Sequence, residues 1–124
     1  MVTRAGLELA DHLEPRIDEL CEAVLAEQEP IQAEQSRPFL RAWLQGEIEH
    51  LRGHAERTHE WVALLSESVR AWGGGIEVML EQARIFRDAT TKACAGKVRG
   101  ITDAELLGIL NEQQDRLLHH IGAY

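Results

Sequence analysis

Gly73-Gly74-Gly75 and the stretch behind it constrain this chain more than any other feature. Glycine lacks a Cβ, admits positive φ and weakens helices, so three in a row punctuate an otherwise helical sequence. Beyond them Ile76, Met79, Leu80, Ala83, Phe86, Ala89, Ala93 and Cys94 recur at steps of mostly three and four. That spacing predicts one long helix from Ile76 to about Ala95, with a continuous apolar stripe. Glu77, Glu81, Arg84, Arg87 and Lys92 fall on its opposite face. No glycine or proline interrupts the stripe, so the other elements are expected to pack against this helix.

The chain divides around it as follows. Leu7, Leu9, Ala10 and Leu13 make an amphipathic segment from Thr3 to Leu13. Pro15 suits the first turn of a new helix. Ile17, Leu20, Cys21, Val24 and Leu25 then fit a helix to about Glu27, ended by Glu29-Pro30 because a residue before proline leaves the α region. Gln32 to Gln35 reads as a polar connection, Ser36 as an N-cap, and Arg37 to Ala55 as a third helix with Leu40, Trp43, Leu44, Ile48 and Leu51 inward. Thr58 caps a fourth helix carrying Trp61, Leu64, Leu65, Val69 and Trp72. After the central helix Gly96 and Gly100 flank a turn. Thr102 and Glu105 form a capping box, and a last helix presents Leu106, Leu110, Gln113, Leu117, Ile121 and Tyr124. No segment alternates as a strand would. The expected fold is a single all-α domain spanning residues 1–124, of five to six helices. The uneven spacings fit a globin-like arrangement or an irregular helical bundle better than a symmetric four-helix one.

Composition narrows the function. With 124 residues one core is expected. A net charge of −8 repels a phosphate backbone, which argues against nucleic acid. No apolar run approaches the roughly 20 residues that cross a bilayer, and Arg4, Glu8 and Asp11 interrupt any leader-like core, which points to the cytoplasm. Cys21 and Cys94 read as reduced, buried small hydrophobes.

Chemistry-bearing patterns are few. Glu47-x-x-His50 is half of a di-iron carboxylate motif, with no second copy elsewhere. His50 and His54 lie four apart and His59 follows, so Glu47, His50 and His54 are the candidate ligands for a transition metal. A single axial histidine from this region would serve haem. The alternative for these histidines is a solvated or boundary position, with no cofactor at all. Nucleophile-elbow and phosphate-loop motifs are absent, and the chain reads as non-enzymatic. Trp43, Trp72, Met79 and Phe86 are candidates for a small apolar pocket between helices, against ordinary core packing. Leu110, Leu117, Ile121 and Tyr124 are candidates for a homodimer interface, because an apolar edge running to the final residue invites a partner or a continuation into a linker.

The second half resembles the N-terminal sensor domains of RsbR-type stressosome proteins, co-antagonists of the RsbT kinase. Three segments carry the resemblance: Ser68-Val69-Arg70-Ala71-Trp72-Gly73, the stretch from Ile76 through Ala89, and Leu117-Leu118-x-x-Ile121-x-x-Tyr124. It implies a non-haem globin-like fold, a dimer, no catalysis, and a signal-sensing role beside other proteins of a stress-response complex. Family chains continue into an output domain, so the last helix is expected to lead into one. The competing readings are a haem- or metal-binding helical sensor, and an adaptor bundle that presents an acidic surface and binds no ligand.

Overall fold

The computed structural model describes residues 2–54, 63, 67, 70, 71 and 76–122. Among them every regular element is helical and there is no strand, so the domain is all-α. Helix α1 (Arg4–Leu13) starts at Thr3, whose backbone is extended and whose hydroxyl accepts a hydrogen bond from the Gly6 N–H at 3.0 Å. A 3-10 turn, Glu14–Arg16, holds Pro15 where a missing N–H costs nothing. It leads into α2 (Ile17–Ala26), which buries Leu20, Val24 and Leu25.

Helix α3 runs from Pro30 to Leu51 and corrects the expected boundaries at both ends. Residues 32–35 are helical rather than a connection, because Pro30 takes the first helical position behind an extended Glu29. Ser36 caps nothing. It is buried, and its hydroxyl donates to Gln82 Oε1 at 3.2 Å. Pro38 consequently sits inside the helix, where the ladder loses one donor. The other end closes before Ala55: the Gly53 N–H donates to the His50 carbonyl at 3.0 Å and the His54 N–H to the Glu49 carbonyl at 2.8 Å. Gly53 has φ +98°. These are the two crossed bonds and the left-handed residue of a Schellman stop.

The expected fourth helix between Thr58 and Trp72 lies outside the described residues apart from residues 63, 67, 70 and 71, and so do Gly73 to Gly75. Helix α4 (Ile76–Cys94) follows the sequence expectation in extent. Its buried face is wider than one stripe. Gln82, Ile85 and Thr90 are buried beside Ala83, Phe86, Ala89 and Cys94, whereas Leu80 is 43% exposed. The width reflects its position between two neighbours, α2 and α5. Glu81 and Arg84 pair on the outer face at 2.5 Å. Gly96 and Gly100, at φ +70° and +88°, shape the following turn. Helix α5 (Asp103–Gly122) begins with the expected capping box: the Thr102 N–H donates to Glu105 Oε1 at 3.0 Å and the Glu105 N–H to Thr102 Oγ1 at 3.1 Å.

The packing forms a closed circuit. α1 contacts α3, α3 contacts α2, α2 contacts α4, α4 contacts α5, and α5 returns to α1. Their inward side chains make one cluster that includes Leu9, Val24, Leu40, Leu44, Phe86 and Leu110. Gln82 is 1% exposed and ties three members together, receiving the Ser36 hydroxyl of α3 and the Gln28 side-chain amide beyond α2 at 2.7 Å. Among the described residues no helix is long and apolar enough to cross a membrane.

Candidate functional site

Two of the four expected pocket residues meet. Trp43 of α3 stacks on Phe86 of α4, with ring centroids 4.4 Å apart and planes 24° from parallel. Such an offset pair adds about 1 kcal/mol to the burial of both rings. The space left beside them is only about 30 Å³. That accommodates a water, whereas small-molecule sites run to several hundred Å³. Trp43 and Phe86 therefore act as core. Trp72 and the Met79 side chain lie outside what the structure describes.

The same seam holds the most perturbed acid of the described chain. Glu47, one turn along α3 from Trp43, is 4% exposed, and its Oε2 receives a hydrogen bond from Arg116 Nη2 of α5 at 2.7 Å. Burial pushes the Glu47 carboxyl up to about 7, against the opposing pull of Arg116. Around this pair Gln113 Nε2 and Arg116 Nε are buried without a hydrogen-bond partner among the described residues. A second small space of about 40 Å³ adjoins them, reached by Thr3, His50 and Glu112. The pair joins the last described helix to the third.

The metal expectation fares differently from its spacing. Glu47 is engaged by Arg116, and α3 stops at Leu51, so His54 is an exposed residue beyond the Schellman turn and does not share a helical face with His50. Among the described residues no group of three potential ligands converges. His59 lies outside them. Of the interface candidates, Leu110 and Leu117 are 3% and 5% exposed and belong to the core. The Ile121 side chain and Tyr124 are not described.

Sequence reasoning missed a roomy concavity on the described surface. Where the end of α1, the start of α2 and the end of α4 meet the following turn, a cleft of about 430 Å³ opens. Leu13, Leu20 and Cys94 form its buried floor, with Ala23 and Ala93 half-buried beside them. His12, Arg16, Glu19 and Lys97 stand around it. Arg16 Nη1 donates to the His12 carbonyl at 2.7 Å, which fixes the arginine across the 3-10 turn. Burial, then the charge of Arg16, lowers the His12 pKa, leaving the imidazole neutral at pH 7. Burial raises the Cys94 thiol to about 11, so it is part of an apolar floor and no nucleophile. The lining comes from two stretches far apart in sequence, residues 12–23 and 93–97, and no local spacing announces it. No protein-family model, curated protein or solved structure matches this chain.

Proposed function

We propose that this chain is a non-enzymatic, signal-sensing regulatory domain of the RsbR type that its second half resembles. In this reading it is cytoplasmic, works as a homodimer beside other signalling proteins, and passes its state through α5. The observation that supports it is the buried Glu47–Arg116 pair at 2.7 Å. A buried ion pair is a costly way to hold two helices together, since apolar residues of similar volume do so as well or better. Its use here gives α5 a contact that depends on charge and on two precisely filled positions, which is how a two-state contact is biased. The homodimer requires a surface other than Leu110 and Leu117, because both are already used inside one chain.

Hydrogen exchange tests the reading. In Arg116→Met, amides of α5 should exchange more than about tenfold faster while those of α2 keep the wild-type rate, a local opening worth at least about 1.4 kcal/mol. A rise spread evenly over all helices, or none, would sink the regulatory assignment. Sedimentation of the wild-type chain should give twice the monomer mass, and a monomer at high concentration would remove the dimer from it.

A further inference from the structure

The cleft between α1, α2 and the end of α4 is the feature that the regulatory reading leaves unused, and it rests on different residues from the Glu47–Arg116 contact. We propose that it binds a small amphipathic monocarboxylate, with the carboxylate between Arg16 and Lys97 and the apolar body on Leu13, Leu20 and Ala23. Volume is the first argument: about 430 Å³ lies within the range of sites that enclose small organic ligands. Polarity is the second. The floor is apolar and buried, while the charged groups are confined to the rim, which is the division an amphiphile has. Charge is the third. The protein carries a net −8, yet this rim brings together two cations that form no ion pair with any described carboxylate within 4.0 Å, Arg16 and Lys97.

The balance of charge also chooses the head group. Arg16 and Lys97 supply two positive charges, Glu19 returns one negative, and His12 is neutral at pH 7. The remainder matches one negative charge, as a carboxylate carries, better than the nearly two of a phosphate monoester. A guanidinium offers a planar fork to the two carboxylate oxygens, and an ammonium adds a movable third donor. Both donors are exposed, so they set head-group preference while the floor supplies most of the affinity.

Titration calorimetry with octanoate, octanol and octyl phosphate separates these contributions. Octanoate should bind one to one and at least about tenfold more tightly than octanol, a factor equivalent to about 1.4 kcal/mol. The double substitution Arg16→Gln, Lys97→Gln should bring octanoate down to the octanol level. Lys97→Glu alone, on an exposed turn, makes the same test with minimal risk to folding. Three results would overturn the proposal: no binding of octanoate, equal binding of octanoate and octanol, or an affinity unchanged by these substitutions. Tighter binding of octyl phosphate than of octanoate would overturn the monocarboxylate assignment.

Discussion

Glu47 is a carboxyl group in surroundings that favour its neutral form. In the unfolded chain it titrates near its ordinary 4.5, and in the folded chain near 7. The folded state therefore holds the proton more tightly, and stability from this group is fully present below about pH 4.5 and is lost as pH rises through 7. The span corresponds to at most about 3–4 kcal/mol, from about 1.4 kcal/mol for each pH unit of displacement. Urea unfolding should show wild-type stability declining by about 2–3 kcal/mol between pH 5 and pH 8. Glu47→Gln, which keeps the shape and can still accept from Arg116, should flatten that decline; an equal slope in the variant would place the titration on another residue. The sequence marked Glu47 only as part of a metal pattern. Its partner stands 69 residues away on another helix, so no local spacing could assign it. Gln82 makes the same point: a polar residue in an apolar stripe reads as an interruption until Ser36 and Gln28 are found around it.

At the scale of elements, what lay within four or five residues was legible. The α5 capping box was readable because both of its members and both of its hydrogen bonds sit between Thr102 and Glu105. The start of α3 was not. Pro30 and Ser36 each make an acceptable helix beginning, and the choice between them was made by a contact to α4 that the local sequence does not encode. The stop of α3 depends on Gly53, close to where a break before Thr58 is expected from the sequence. At φ +98° any side chain is strained, and a Cβ would also stand 2.9 Å from Val2 Cγ2. Gly53→Ala should cost about 1–2 kcal/mol, measurable as a lower denaturant midpoint at unchanged slope. A variant of wild-type stability would mean that the turn re-forms in another way.

The whole molecule was legible as all-α and as one core, because apolar periodicity reports which face of each helix is inward. It does not report which helix that face meets. Leu110 and Leu117 are for that reason candidates for a dimer interface from the sequence, whereas the fold buries both in the core of one chain. Leu117→Asp should accordingly abolish folding by placing a charge in the core, seen as loss of helical circular dichroism at 25 °C. A folded, monomeric variant would return this residue to an interface. The cleft escaped prediction for the same reason, being a product of how residues 12–23 and 93–97 converge.

The circuit of helices has a consequence for the order in which the chain assembles. Its α2–α3 and α4–α5 contacts join elements adjacent in sequence, whereas the closing α1–α5 contact, where Arg4 meets Glu105 at 3.0 Å and also the Gly100 carbonyl, spans 101 residues. Closing so long a loop costs entropy that is repaid only once both partners are formed. The two hairpin-like pairs thus supply the early, rapidly gained structure, and the seam between α1 and α5 is the last joint to shut. It is also the place where a nascent chain stays open longest, since its second half has to be synthesised before its first helix can find a permanent neighbour there.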